Sequence, residues 1–439
     1  MSSSDEHRSV SGRTVHYGWV VLCAAVLTVL GCLGFARFGY TMLLPPMQTD
    51  LRLTNTETGG LATGNFAGYL VLAVVGGVIA SRYGARRVIG ISMCLTGTAM
   101  VFTGLTNSFE GALFWRALTG VGSAGSNVPV MALLPAWFAA RRRGMAAGIA
   151  VGGSGLGLII VGPLVPRLLA SFGENGWRVS WFILGGLVWV LGIVAFMLLR
   201  ERPEDLGLLP VATTKPRPPV QMVPEVRAPL DWSRVYRSRA VWHLALVYVA
   251  FGFSYVIYGT FFARYLEAEG GYTREAAGRL WALVGWLSVF CGLIWGAISD
   301  LVGRKYGLAL VFLIQAVCYA VFALWHSPVG ATVSAVMFGL TAWSIPGIMT
   351  AACGDHVGAA LAPAAFGFVT LFFGLGQAAG PSVAGAVADA TGSFGPAYLV
   401  AAGVAFVGSV GSLLLRQPAG EEWESPSGLH PWLEEGGVR

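Results

Sequence analysis

Charged residues are scarce in this sequence. Only 11% of its 439 residues are Asp, Glu, Lys or Arg, whereas 55% are hydrophobic and the mean hydropathy is +0.67. A water-soluble protein of this size needs more polar residues than that to cover its surface. The composition therefore excludes a soluble globular protein and indicates a chain that is covered largely by lipid.

The sequence also lacks the residue patterns of disulfide frameworks, metal sites and enzymes. An intramembrane enzyme needs a Ser/His pair, an acid pair or metal ligands at mid-membrane depth, and the apolar runs offer none. No cysteine belongs to a CxxC pair or has a His at ligand spacing, so we expect no metal and no cofactor. The six cysteines lie in or beside apolar runs: Cys23, Cys32, Cys94, Cys291, Cys318 and Cys353.

Long apolar runs dominate what is present. A helix needs about 20 apolar residues to cross a bilayer. Twelve such segments lie between turn-forming or charged clusters, and the first has no signal-peptide cleavage site. The predicted spans are Tyr17–Met47, Gly60–Ala80, Val88–Leu105, Phe109–Ala139, Met145–Ala170, Trp177–Leu199, Ala240–Leu266, Ala277–Ala297, Tyr306–Trp325, Pro328–Ala352, Pro363–Ala388 and Ala397–Leu415.

Basic residues mark alternate loops, which predicts the orientation of the chain. Loops rich in Lys and Arg stay on the cytoplasmic side, so both termini are expected there, in a cytoplasmic (inner) membrane. The net charge of +6 then reflects loops at an anionic membrane surface and gives no reason to expect a nucleic-acid partner. The basic loop residues are Arg82, Arg86 and Arg87, then Arg141 to Arg143, then Arg304 and Lys305.

A proline-rich stretch divides the chain into two parts. It contains the sequence KPRPPVQMVPEVRAP, which cannot bury a core and is typical of a linker. We expect a cytoplasmic tail at 1–16, a six-helix bundle at 17–199, a cytoplasmic linker at 200–239, a second six-helix bundle at 240–416 and a tail at 417–439. We also expect the chain to act as a monomer.

Three sequence motifs of the first half recur in the second half at nearly the same offset, which indicates an internal duplication. One match arises easily by chance, but three matches at the same offset in matching spans do not. Repeated halves with a binding site between them are a common transporter design. The pairs are Gly77 and Gly84 with Gly296 and Gly303, at an offset of 219; Gly162-Pro163 with Gly380-Pro381, at 218; and Gly34 and Tyr40 with Gly252 and Tyr258, also at 218.

The two duplicated loops resemble a known signature. The sequences GGVIASRYGARR and GAISDLVGRK are similar to the glycine-and-basic motif of the major facilitator superfamily, after spans 2 and 8. Within it, GFARFGYTMLLPPMQ and GGLATGNFAGYL resemble the YbfB/YjiJ-type branch. HYGWVV and RRRGMAAGIAVGGSG resemble bacterial relatives of monocarboxylate transporters, although span 8 has no arginine where those carriers place one. The resemblance implies an all-α fold of twelve helices in two pseudo-symmetric halves.

The resemblance also implies residues that hold or move the two halves. Glycines permit close helix contact, and basic side chains can pair with carboxylates or helix ends. Ser81 stands where the family usually has aspartate, whereas the second copy has Asp300. Gly-Pro pairs bend helices, which suits either a hinge or a static kink. The predicted latch and hinge residues are Gly77, Arg82, Gly84, Arg86, Arg87, Gly162, Pro163, Asp300, Gly303, Arg304, Lys305, Gly380 and Pro381.

Two arginines lie inside predicted spans, where a charge is costly without a partner or a cavity. Arg37 lies in span 1, and it either faces the interior or reaches the outer headgroups. Arg116 lies in span 4 on one face with Gly120, Ser123 and Asn127, and it either serves transport or bonds backbone carbonyls. In the superfamily, spans 1, 4, 7 and 10 line the central cavity, so the resemblance implies that both arginines face it.

A cavity with two arginines and no mid-span carboxylate favours an anion. We therefore predict a secondary transporter for a small organic anion, with the proton as an open alternative co-substrate. His243, near the inner end of span 7, is the only titratable candidate within a span. The alternatives are an efflux carrier for drug-like or neutral solutes and a sensor or scaffold that moves nothing. The predicted substrate-binding residues are Arg37, Tyr40, Asn65, Tyr69, Arg116, Asn127, Tyr255, Tyr258 and Gln377.

Overall fold

The computed structural model describes residues 16–212, 233–358 and 361–416. Predictions about the first fifteen residues, most of the linker and the tail after Arg416 lie outside the described residues. Within the described ranges the chain is helical, apart from turns and one isolated bridge between Phe138 and Val211. The predicted all-α fold is confirmed.

By length and hydropathy, ten stretches of the described residues can cross a membrane. One of them, Arg142–Leu198, divides at the turn Gly173–Asn175, and the 29-residue helix Asn55–Tyr83 adds a further segment. That each of the resulting twelve segments spans a bilayer stays a prediction. The helices are α1 (Tyr17–Asp50), α2 (Asn55–Tyr83), α3 (Ala85–Leu105), α4 (Phe109–Trp137), α5 (Ala140–Phe172), α6 (Gly176–Leu198), α7 (Arg239–Ala268), α8 (Arg274–Val302), α9 (Arg304–Leu324), α10 (Pro328–Val357), α11 (Ala362–Thr391) and α12 (Gly395–Leu413).

Helix ends follow from local sequence in the same way in both halves. Thr54 caps α2 in a capping box with Glu57, and Thr273 caps the equivalent helix α8. Gly84 and Gly303 end these helices with φ of +89° and +93°, a backbone region that other residues rarely adopt. The two copies of the predicted loop therefore make the same one-residue turn.

Two helices are interrupted near their middle. In α1 a π-helical segment, Leu30–Phe35, is followed by a turn at 36–38. In α10 the helix stops at Thr341 and resumes at Ser344. Such interruptions leave backbone carbonyl groups without helical partners, and these must be satisfied by side chains or by a cavity.

Glycines at intervals of seven residues run along the facing sides of α5 and α8. A Cβ atom on Gly162 would lie 2.4 Å from the Gly278 carbonyl oxygen, and one on Gly155 would lie 3.0 Å from the Gly285 oxygen. Only glycine permits this approach. A Cβ atom on the next pair, Gly148 or Gly292, would meet nothing within 4 Å. The two halves are thus in contact at one end, which we name the closed end, and diverge towards the other, the open end.

Polar contacts between the halves seal the closed end. The Asp389 carboxylate on α11 accepts hydrogen bonds from the backbone N–H groups of Asn55 (2.9 Å) and Thr56 (2.7 Å) at the start of α2. A carboxylate at a helix N-terminus is favoured by the helix dipole. Arg264 of α7 donates from Nε to the Gln48 side chain of α1 (2.5 Å). These bonds must break before the closed end can open.

The first part of the predicted linker packs against the first half. The Val211 N–H donates to the Trp137 carbonyl oxygen (2.8 Å), and the Ala139 N–H donates to the Val211 oxygen (3.1 Å). Val211 is 5% exposed and packs against Gly18. The beginning of the stretch 200–239 therefore packs on the first half, where the turn between α4 and α5 offers backbone groups for hydrogen bonding, and the role of the stretch as a linker stays a prediction.

Candidate functional site

A small cavity lies between the halves, beside the interruption of α1. The volume that the centre of a water molecule can occupy is about 20 Å³. A cavity of this size holds about one water molecule. Its walls come from α1, α2, α4 and α7, so α2 takes the place that the resemblance assigned to span 10. The lining residues are Arg37, Phe38, Tyr40, Thr41, Ala62, Asn65, Phe66, Arg116, Tyr255, Val256, Gly259 and Thr260.

The Arg37 side chain points into this cavity and not towards headgroups. Its guanidinium carbon lies 4.7 Å from the ring centroid of Phe66 and 4.5 Å from that of Tyr69. Cation–π contacts of this kind stabilise the charge without using its hydrogen-bond donors. The Nε and Nη2 atoms are buried and have no hydrogen-bond partner. Arg37 therefore presents free, charged donors to the cavity.

Arg116 has both a structural contact and a free donor. It is 1% exposed, and its Nη1 donates to the Ala36 carbonyl oxygen (2.7 Å) in the interruption of α1. Its guanidinium lies over the Tyr40 ring at 4.7 Å and the Trp181 ring at 5.3 Å. The buried Nε has no partner. The backbone-bonding alternative for Arg116 is thus present in the structure, alongside its position in the cavity wall.

No carboxylate neutralises the two arginines among the described residues. The ion pairs there join Arg178 to Asp50, Arg274 to Glu267, and Arg304 to Asp300 and Asp355, all away from the cavity. One buried and one half-buried positive charge, both without a counter-ion among the described residues, give the cavity a positive potential. An anion is the occupant that this potential favours.

Asn65 and Tyr40 complete the first-half wall. The Asn65 Nδ2 donates to the Arg116 backbone oxygen (3.0 Å), while its Oδ1 is buried and without a partner. The Tyr40 hydroxyl donates to the Thr58 carbonyl oxygen (2.8 Å), so Tyr40 presents its ring and not its hydroxyl to Arg116.

Tyr255 forms the second-half wall and occupies the position 218 residues after Arg37. Its hydroxyl accepts a hydrogen bond from the Gln377 side chain, and its ring stacks on Phe251 at 4.7 Å. Gln377 therefore positions Tyr255 from behind the wall. The internal repeat places unlike residues, a cation and a phenol, at equivalent positions of one cavity.

Some predicted residues lie outside the lining. Tyr258 is 0% exposed, bonds Ser334 (2.9 Å) and packs on Phe338 inside the second half, so it does not line this cavity and its predicted role in binding stays a prediction. Asn127 donates to the Tyr69 hydroxyl (2.8 Å) and so supports the ring on which Arg37 rests.

Aromatic residues at the two helix interruptions also contribute to the site and were not predicted from the sequence. Phe38, in the turn of α1, packs against Trp343, in the interruption of α10, with ring centroids 5.1 Å apart. Trp343 also meets Tyr255 edge-on at 5.8 Å. No local signal distinguished these rings from the many other aromatic residues of the spans. Phe38, Trp343 and Tyr255 thus form an aromatic contact between the two halves at the level of the cavity.

The comparisons with known proteins agree with this architecture. A family model described as "Uncharacterised MFS-type transporter YbfB" matches residues 29–413. The chain belongs to this family of the major facilitator superfamily. The predicted fold and branch are thereby confirmed, and the YbfB-family chain is a multi-pass membrane transporter, not an enzyme.

Relatives of this YbfB-family transporter extend over nearly the whole chain. The hexuronate transporter of Bacillus subtilis is 25% identical over 89% of this chain and 94% of its own. Monocarboxylate transporter 2 of Meriones unguiculatus is 26% identical over 86% of this chain and 79% of its own. The crystal structure of a bacterial homologue of the lysosomal transporter Spinster, inward-facing and unoccupied, shares the fold at a TM-score of 0.70, with 20% identity over 92% of this chain and 99% of that one.

The predicted latch of the YbfB-family transporter differs between its halves. In the second half, Arg304 pairs with Asp300 and with Asp355 at 3.3 Å, which ties the α8–α9 turn to the end of α10. In the first half, Arg86 donates to the Phe196 carbonyl oxygen (2.6 Å) and lies over the Phe196 ring. Both contacts remain within one half, and the prediction that these residues latch one conformation stays a prediction.

The other predicted latch residues form no ion pair among the described residues. Arg82 lies over the Tyr83 ring at 5.6 Å, and Lys305 lies over the Tyr306 ring at 4.8 Å. Arg87 lines a surface pocket with Arg82 and Arg86. The surroundings of Gly77 lie outside the described part of the structure.

The two Gly-Pro pairs that were predicted as hinges of this YbfB-family transporter lie in helix–helix contacts at the closed end. Helices α5 and α11 continue through Pro163 and Pro381. A Cβ on Gly380 would lie 2.7 Å from the Phe253 carbonyl oxygen, and one on Gly59 would lie 2.1 Å from the Pro381 oxygen. Both Gly-Pro pairs therefore allow close packing between helices, and their bending during transport stays a prediction.

Proposed function

We propose that this transporter carries a small organic anion bearing a carboxylate across the cytoplasmic membrane. The observation that carries the proposal is the pair of unpartnered Arg37 nitrogens in a cavity between the halves, with no carboxylate among the described residues to neutralise them. A guanidinium with free donors binds a carboxylate through charge-assisted hydrogen bonds. The similarity to a hexuronate transporter and to a monocarboxylate transporter supports the same substrate class.

The mechanism we propose is alternating access. The closed end is sealed by glycine contacts and by Asp389, whereas Gly148 and Gly292 continue the same glycine series and stand apart. Rocking one half against the other would separate the first set and join the second. The basic loops lie at the open end, so we propose from the positive-inside rule that this end and both termini are cytoplasmic.

For coupling, we propose that any proton enters with the substrate or that the carrier exchanges anions. His243, the titratable candidate within a predicted span, has its Nε2 atom 2.9 Å from the Gly411 carbonyl oxygen, near the start of α7 and outside the cavity lining. Residues from both halves of one chain line the cavity, so we propose that the carrier acts as a monomer.

A thermal-shift screen of the purified protein tests the substrate class. Carboxylates, sugars, amino acids and cationic drug-like compounds are compared at equal ionic strength. A ligand that binds only the folded state raises the melting temperature in proportion to its occupancy. We expect stabilisation by carboxylates and none by cations. Stabilisation by cationic or neutral compounds alone would support the efflux alternative and contradict the proposal.

A further inference from the structure

The orientation of the Asn65 amide is fixed by its partner. The Nδ2 atom lies 3.0 Å from the Arg116 backbone carbonyl oxygen, which can only accept a hydrogen bond. The opposite amide orientation would place two acceptors against each other, so the hydrogen bond assigns Nδ2 to Arg116 and leaves Oδ1 on the other side. Asn65 is 1% exposed, and its Oδ1 is a buried acceptor without a partner.

The same cavity contains buried donors without partners. These are Nε and Nη2 of Arg37 and Nε of Arg116, and both side chains line the cavity together with Asn65. Buried polar groups in native proteins are nearly always satisfied. Unpaired donors and an unpaired acceptor that line the same cavity therefore favour a ligand that can pair with both kinds of group. Such a ligand must accept hydrogen bonds from the guanidinium groups and donate one to Asn65.

We propose that the substrate is a hydroxycarboxylate, whose carboxylate binds Arg37 and whose hydroxyl group donates to Asn65 Oδ1. This inference rests on the proposed function and narrows its substrate class. A simple carboxylate satisfies the arginines but leaves the Asn65 oxygen unpaired, and a neutral polyol does the reverse. A site that is built to bond a hydroxyl group discriminates strongly against the analogue without it. The cavity of about 20 Å³ is too small for such a substrate, so binding requires the walls to move apart.

Matched pairs of acids test the proposal on the full-length purified protein by isothermal titration. The pairs are L-lactate with propionate, tartrate with succinate, and gluconate with hexanoate. We expect the hydroxylated member of at least one pair to bind about tenfold more tightly than its partner, the effect of pairing one buried acceptor. Equal or tighter binding of the deoxy acid in every pair that binds would overturn the proposal, because a water molecule would then serve Asn65.

The Asn65→Ala variant gives a second test of the proposal. We expect it to bring the hydroxy-to-deoxy affinity ratio close to 1 while the deoxy acid keeps its affinity within about twofold. Asn107→Ala, which removes an exposed amide that bonds Arg178 outside the lining, should keep the wild-type ratio. A ratio unchanged by Asn65→Ala contradicts the proposal, and if that variant does not fold, the wild-type pairs decide alone.

The outcomes also separate this inference from the proposed function. If carboxylates bind but hydroxylated acids have no advantage, only the hydroxycarboxylate inference fails. If another class of anion binds and none of the hydroxy acids does, it fails likewise. If no anion binds, the proposed function itself fails.

Discussion

Gly148→Leu is expected to abolish transport and leave the folded state described here intact. A Cβ atom at Gly148 meets nothing within 4 Å, so a larger side chain has room in this conformation. Gly148 nevertheless continues the series of Gly155 and Gly162, which touch α8 at the closed end. When the open end closes, a leucine would hold α5 and α8 apart there. Initial rates of substrate uptake into proteoliposomes measure the loss, and the melting temperature measures the fold.

Two further glycine-to-leucine variants serve as controls for this prediction. Gly403→Leu on α12 makes the same substitution at an exposed glycine that also meets nothing within 4 Å, and it should retain transport. Gly162→Leu should instead lower the melting temperature, because its Cβ would lie 2.4 Å from the Gly278 carbonyl oxygen, and overpacking costs about 1–3 kcal/mol. If Gly148→Leu transports at the wild-type rate, the open end does not close along this glycine series.

Arg37→Gln should weaken the binding of carboxylate substrates by about 100-fold, because hydrogen bonds from a charged donor contribute roughly 1.5–3 kcal/mol. The substitution keeps an amide donor and removes the charge. Nε and Nη2 have no hydrogen-bond partner to lose, but the contacts of the guanidinium with the Phe66 and Tyr69 rings are lost, so we expect a modest fall in the ligand-free melting temperature. Isothermal titration with the best carboxylate from the screen measures the affinity.

Arg167→Gln is the matched control, since Arg167 is an exposed arginine of α5 and its loss changes the net charge equally. It should keep the wild-type affinity. Arg116→Gln should differ from both, because it also removes the bond to the Ala36 carbonyl oxygen and should lower the ligand-free stability. An Arg37→Gln protein that binds carboxylates normally would show that the charge in the cavity serves another purpose.

The fold could be predicted from the sequence because its determinants are repetitive. Apolar length predicts helices, and a repeat offset of 218 to 219 relates the halves. Gly84 and Gly303 mark turns that need positive φ, and these signals are local. The interruptions of α1 and α10 were not predicted, since a π-helical segment at Leu30–Phe35 depends on close contacts such as that of Gly34 with Gly157.

The site could be predicted only in part. An arginine inside an apolar run is rare enough that Arg37 and Arg116 stand out in the sequence, and both line the cavity. Aromatic residues are common in the spans, so nothing local separates Tyr255, which lines the cavity, from Tyr258, which does not. The contact of Phe38 with Trp343 joins residues 305 positions apart, and only the packing of the two halves brings them together.

The most direct test of the central claim is counterflow of a radiolabelled carboxylate in proteoliposomes. Vesicles loaded with unlabelled hydroxycarboxylate should accumulate the labelled acid transiently when they contain the wild-type protein. Vesicles with Arg37→Gln or Gly148→Leu should not, and a pH jump should separate proton symport from anion exchange. Equal accumulation in protein-free vesicles, or counterflow of cations in place of carboxylates, would contradict the account of an organic-anion transporter.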